Sequence, residues 1–306
     1  MNETDGAAGL PRLSVVIPTT QPWPEARACL DSIYDEARAL GAEVIVAASD
    51  GRGLPADYES SYPEVVPLIE DGASVFRLRA IGMAAARGEV IALTEDHCQA
   101  APGWCEGHLR AHAEQLGAAV VGGPVGNGET QNLTAWASFL MNHSPWMPPV
   151  SSGQRQRVDP SNVSFKRRVV PRTPSEHGVP EMTLAERLRR AGEDTFTDER
   201  IPVSHVQWLG VRHTFVIHFH SGRATSGLRL QEGMRASERI AGFGMSLLLG
   251  PAMLVQTVRR AWRKRVMSAG KLAAILPALT LACFSTAAGV TVGYIAGPGN
   301  SPARLR

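Results

Sequence analysis

The run VIALTEDHCQAAPGWCEGH, residues 90–108, begins as a short apolar strand and ends in three adjacent ligand-bearing residues, Glu95, Asp96 and His97. Two chemistries are open to it. Carboxylates at the end of a strand can hold a hard divalent cation whose remaining ligands are phosphate oxygens, because Mg2+ and Mn2+ prefer oxygen donors and few protein ligands. Cys98, Cys105 and His108, with His97 or His112, offer instead the softer set of a zinc site. Spacing argues against zinc: His108 and His112 lie one turn apart, but no second tight cysteine pair follows to close a structural site. On a helix opening near Pro102, Gly103 and Trp104, the residues Trp104, Cys105, His108 and His112 read as packing and surface positions. An acidic pair just ahead of a helix is also an N-cap, so Glu95 and Asp96 carry a structural reading beside the metal one.

The elements that must position these residues alternate along the chain. LSVVIPTT from Leu13 is followed by a helical WPEARACLDSIYDEARAL and then by AEVIVAAS, the rhythm of parallel βα units. Pro24 near the start and Gly41 past the end bracket that helix. Strands follow over 89–94 and 117–126, with a helix between Asp71 and Gly88. In open α/β sheets, ligands collect at the carboxyl ends of the strands. There stand IPTT, then Asp50 in ASDGRG, then Glu95 to His97. Beyond lie a Pro- and Ser-rich region from about 143 to 162, a strand SNVSFKRRVV, and a helix EMTLAERLRRAG with apolar positions at helical spacing. VSHVQWLGVRHTFVIHFHSGRA reads as a strand, whose alternation puts His218 and His220 on one face. That face is either a cleft wall or an ordinary polar outer surface.

The 306 residues are 44% hydrophobic and 20% charged, an ordinary globular mixture. A formal net charge of +2 excludes the chain as a whole from electrostatic binding of nucleic acid. The four cysteines do not form a disulfide-scaffold pattern and indicate a reducing compartment, and the first residues show neither the basic nor the apolar region of a signal peptide. The last quarter differs. Residues 240–258 and 272–303 carry no charge, while RRAWRKRVMSAGK between them carries six basic residues and no acidic one. Each apolar segment approaches the roughly 20 residues that cross a bilayer. A simple hairpin from a cytosolic domain would export the basic loop, against the tendency of Lys and Arg to stay cytoplasmic. Glycines and Pro251 interrupt the first segment and Pro277 the second, which favours in-plane or re-entrant anchoring with the basic loop on anionic headgroups. Two buried helices of a soluble protein are the plainer alternative.

LSVVIPTT, Asp50, RLRAIGMAAARGEVIALTEDH, PGW, GGPV and SNVSFKR, in this order, resemble the family 2 glycosyltransferases over roughly residues 13–220. The resemblance implies a GT-A fold: a Rossmann-like, mostly parallel α/β sheet flanked by helices, here with C-terminal hydrophobic helices. It divides the chain into a disordered 1–12, a GT-A domain 13–228 and a membrane-associated helical region 229–306. It implies a nucleotide-sugar donor, with Pro18, Thr19 and Thr20 lining the nucleoside pocket, Asp50 on base or ribose, and Arg79 and Glu95 near the diphosphate. The family's DxD motif falls on Glu95, Asp96 and His97, giving Asp96 and His97 as ligands of a divalent cation, Mn2+ or Mg2+. His97 stands where a second Asp is often found, and histidine suits Mg2+ poorly. The base that takes the acceptor proton falls on Glu181, where a first-turn residue favoured by the helix dipole is the structural alternative; Glu176, Glu186 and Asp194 compete for the role. His218 and His220 would hold the acceptor or the diphosphate. GVTVGYIAGPG resembles the tail of a membrane-associated subset, with Val290 where an acidic residue often stands.

These expectations describe a membrane-associated, inverting sugar transferase with its catalytic domain in the cytoplasm and a lipid-linked or polysaccharide acceptor. Two rivals stand beside it: a non-catalytic membrane-anchored GT-A scaffold, and a zinc-dependent hydrolase built on Cys98, Cys105 and His108.

Overall fold

Eleven short strands and nine helices follow one another through a computed structural model that describes residues 10–21, 23, 26–155, 157–174, 181–207, 210–231 and 233–305. For 181–183, 185 and 186 it describes the backbone alone. In chain order they are β1 Leu13–Thr19, α1 Arg27–Ala39, β2 Glu43–Ala48, the single turn α2 Tyr58–Ser61, β3 Val65–Ile69, α3 Val75–Ala85, β4 Val90–Thr94, β5 Cys98–Ala100, α4 Trp104–Glu114 and β6 Ala118–Gly122. Then come β7 Val125–Asn127, α5 Leu133–His143, β8 Gly153–Gln154, β9 Asn162–Lys166, α6 Glu181–Arg190, β10 Asp194–Thr197, β11 Val203–His205, α7 Val211–Gln231, α8 Ala236–Lys264 and α9 Ala269–Ala296.

The main sheet has eight strands in the order β3-β2-β1-β4-β9-β6-β10-β8. β1 to β4 run parallel, β9 is inserted antiparallel between β4 and β6, and β10 runs parallel to β6. Every residue of β1, β4 and β6 is buried, because helices cover both faces and leave no solvent side to demand alternation. On one face Leu30, Ile33, Trp104, Phe139 and Leu140 of α1, α4 and α5 form the larger core. On the other, Met83 of α3 and Leu184 of α6 pack on Val16, Ile91 and Phe165.

The α/β reading of the sequence therefore stands, with local differences. α1 starts at Arg27; Pro24 lies outside the described residues, whereas Gly41 does close the helix with φ +60°. β3 is easily missed because Pro67 interrupts its apolar run, which a strand tolerates at a sheet edge.

The largest departure is α7. Residues 211–231 form a helix, and successive residues of a helix diverge by about 100°, so His218 and His220 face different ways. The alternation of Ile217 and Phe219 with His218 and His220 imitates a strand. Packing decides otherwise: α7 lies so close to α9 that a Cβ at Gly289 would stand 2.0 Å from the Phe219 carbonyl oxygen, and one at Gly293 2.0 Å from Ser226 Oγ. The helical region thus begins within the segment the sequence reading gave to the α/β domain.

Candidate active site

A second, three-stranded sheet, β5-β11-β7, builds the site. Its register places His205 opposite Cys98, and the Val206 amide donates to the His97 carbonyl at 2.8 Å. Two residues 108 positions apart in sequence so meet with their Nε2 atoms 2.9 Å apart. Glu95 completes the group: its Oε2 lies 3.3 Å from His97 Nε2 and 3.5 Å from His205 Nε2. Its Oε1 accepts from Arg79 Nη2 at 2.5 Å, and Arg79 is buried on α3.

Glu95, His97 and His205 are the one group among the described residues whose ligand atoms, all within 4.8 Å of one another, could hold a metal ion. Two imidazoles and a carboxylate suit Mn2+ better than Mg2+. Asp96, expected to be a ligand, accepts from His97 Nδ1 at 2.7 Å and from the Thr20 amide at 3.3 Å. A carboxylate on the far nitrogen of a ligating imidazole fixes its tautomer and aims the other nitrogen. Glu95, expected near the donor, takes the place beside the two histidines. Cys98, Cys105 and His108 do not form such a group: both thiols are buried, and His108 Nδ1 bonds Ser164 Oγ at 2.8 Å.

Electrostatics follow the contacts. Burial alone would raise the Glu95 carboxyl, but hydrogen bonds from His205 and His97 and the Arg79 charge outweigh it and hold it well below the usual range. Burial opposes charge on His97 as well, yet Asp96 and Glu95 raise it to about 10. His205, buried between His143 and His97, falls to about 4.

The group opens on a cavity of about 580 Å³ lined by residues from the strand ends, α3, α5 and α7. Pro18, Thr20, Arg79, Glu95, Asp96, His97 and His218 all line it. Thr19 does not: its buried hydroxyl bonds the Gln21 backbone at 3.1 Å. Asp50 caps a short turn through the Arg52 amide at 2.8 Å and pairs with the Arg52 guanidinium at 2.7 Å. His218 is buried and meets Ser138 Oγ at 3.0 Å, whereas His220 turns to Ser301 Oγ at 2.9 Å and leaves the cavity. Glu181 opens α6, but its side chain lies outside the described residues; so do Glu176 and the side chain of Glu186.

Sequence reading missed His143 and Asp159. Asp159 is fully buried, accepts from His143 Nδ1 at 2.7 Å and from the Ser161 amide at 3.0 Å, and lines the cavity with His143. The His143 ring lies 4.4 Å from that of His205, centroid to centroid. No short motif joins His143, Asp159 and His205. The available signal was the apolar inward neighbour of His205 on its strand, Val203, which marks the histidine as buried.

The family described as Glycosyl transferase family 2 matches residues 14–167. Among solved structures, the crystal structure of GalNAc-T7 with UDP, GalNAc and Mn2+ is similar in fold, with a TM-score of 0.50 and 12% identity over 65% of this chain and 44% of that one. The chain thus spans less than half the length of that protein. No curated protein matches in sequence.

Proposed function

The chain belongs to glycosyl transferase family 2, and from that premise we propose that it transfers a sugar from a nucleotide-sugar donor to a lipid-linked or polymeric glycan acceptor, with inversion at the anomeric carbon. The observation that carries this reading is the convergence of Glu95, His97 and His205 beside Arg79 at the carboxyl ends of the sheet strands, on a cavity large enough for a nucleotide sugar. The similar fold of GalNAc-T7, solved with UDP and Mn2+, supports the same donor class.

Pro18 and Thr20 bound the nucleoside end of the cavity, and Thr19 and Asp50 hold the turns that follow β1 and β2. Arg79 supplies positive charge next to the diphosphate. Glu95, His97 and His205 would hold a divalent cation, whose chemistry is to neutralise the charge of the departing diphosphate. Asp96 orients His97, and Asp159 with His143 backs His205. The acceptor hydroxyl attacks the anomeric carbon as the bond to the diphosphate oxygen breaks, and its proton passes to the carboxylate of Glu181 at the start of α6. His218 faces the acceptor side; His220 serves the fold. The two apolar C-terminal helices hold the domain at a membrane on its cytoplasmic side.

Donor hydrolysis across common nucleotide sugars, with and without Mn2+, tests the proposal. One donor should turn over with Mn2+, and Glu181→Gln should lower kcat at least about 100-fold without weakening donor binding. Nucleotide binding without turnover of any donor, with Glu181→Gln changing nothing, would show a non-catalytic scaffold.

A further inference from the structure

α8 and α9 are both long and apolar enough to cross a membrane. Their packing points elsewhere. At about 1.5 Å per residue, 28 residues make α9 roughly 42 Å long, longer than the roughly 30 Å hydrocarbon core. Yet it stays against the rest of the protein from end to end. Leu272, Ile275 and Leu279 join Trp136, Phe139 and Leu140 of α5 in the main core. Further along, Gly289 and Gly293 seat α7. Both ends are tied down as well: Lys271 Nζ donates to the Thr130 carbonyl at 3.0 Å, and past the other end Arg223 Nε donates to the Gly297 carbonyl at 3.1 Å. A bilayer crossed by α9 would have to contain α5, α7 and the charged cavity they wall, at a cost no isolated hairpin meets.

α8 covers the outside of α9. Its buried stripe is small, Ser246, Gly250, Thr257 and Ala261, while Ile240, Phe243, Met245, Leu247, Leu248, Val255 and Trp262 stand exposed, and residues 240–258 carry no charge. Both ends of this apolar face are basic. Arg235 and Arg239 lie exposed at one end, Arg235 paired with Glu238 at 2.6 Å and Arg239 donating to the Tyr294 and Ile295 carbonyls, and the larger cluster of Arg259, Arg263 and Arg265 lies at the other. Lys264 Nζ holds that second end to the carbonyls of Pro145 and Met147, on the α/β domain.

We infer that α8 and α9 form a hairpin that lies in one leaflet of an anionic membrane without crossing it, the outer face of α8 sunk to the boundary of headgroups and acyl chains and both basic ends on the headgroups of that leaflet. A protein-covered inner face and an apolar outer face give this helix the two-sidedness of an interfacial anchor, with α9 taking the place of water on the inner side. A spanning hairpin would put Arg259, Arg263 and Arg265 across the membrane from Arg235 and Arg239; lying flat, it lets both ends meet anionic lipid in the same leaflet. This deepens the membrane reading given above and does not depend on sugar transfer, so an active enzyme with a spanning hairpin would defeat this inference alone.

The full chain, bound to preformed vesicles of phosphatidylcholine with phosphatidylglycerol, carries the test. The four native cysteines are buried, so Ser237→Cys at the start of α8 and Gly270→Cys at the start of α9 report the two ends of the hairpin; both positions are exposed, and a Cβ at Gly270 meets nothing within 4 Å. A membrane-impermeant maleimide added outside should label both equally, before and after detergent. Labelling at one position with protection of the other until detergent is added overturns the inference. Vesicle binding should fall at least about tenfold without phosphatidylglycerol or at high salt, and also in Leu247→Asp/Leu248→Asp. Failure of the wild-type chain to bind these vesicles, with dimers that the same double substitution dissociates, would instead assign the face to a second copy and overturn the membrane reading.

Discussion

Two buried groups of histidines sit in the α/β domain and behave in opposite ways. On α4, His108 and His112 both grip the hydroxyl of Ser164, at 2.8 and 2.9 Å, inside a sealed apolar layer beside Trp104. Burial pushes them down, His108 to about 3 with His112 adding repulsion, and His112 to about 4 with Lys166 adding to it. At the cavity, His97 after β4 and His143 at the end of α5 each hold a carboxylate at 2.7 Å and are raised against the penalty of burial, while His205 between them is lowered. Burial is common to both groups. What separates them is three carboxylates, Glu95, Asp96 and Asp159, and a cavity. Histidines held neutral in a closed layer pack the core; histidines paired with aimed carboxylates on an open cavity have the arrangement that the proposed cation site requires.

The sharpest way to break this contrast is His205→Ala. It should lower donor turnover at least about 100-fold and weaken Mn2+ binding, while far-UV circular dichroism stays unchanged; retained Mn2+ binding would remove His205 from the ligand set. A smaller effect belongs to Asp159→Asn, which leaves His143 a neutral partner and should cost about 10-fold in Mn2+ affinity, measured by calorimetry. An Asp159→Asn protein that binds Mn2+ as tightly as wild type would separate the His143 pair from the site.

The smallest effect concerns the sealed pair and stability alone. Above a pH of about 6.5 both rings are neutral in folded and unfolded chains, and their contribution is complete. As pH falls from there toward 4, the unfolded chain gains protons that the folded one refuses, so stability is lost. His112→Gln should therefore lose about 1–2 kcal/mol less than wild type between pH 7 and 5 in urea titrations, with donor turnover unaltered. An identical acid dependence in the variant would mean that His112 titrates normally in the fold.

The strands β1, β2, β4 and β6 were legible because an inner parallel strand is a short β-branched run between turn residues, and nothing outside the run is needed to recognise it. Glu95 and His97 were legible as a group because the end of β4 delivers both to one edge, whereas Arg79, on α3, was reached only through the family resemblance. β11 was harder, being three residues long, and α7 was misread because its apolar alternation satisfies period 2 locally while a packed partner imposes 3.6. His218 and His220 show the consequence: in a strand they would share a face, and in the helix one meets Ser138 and the other Ser301.

By itself, then, the sequence determined the sheet, the apolar hairpin and the strand-end cluster of Glu95, Asp96 and His97, since hydrophobic period and charge placement are local properties. Tertiary structure decided which of them work together. The pairing of β11 with β5 brought His205 to His97, and the close seating of α7 on α9 laid the hairpin along the domain, because both depend on contacts between residues far apart in the chain that no local pattern records.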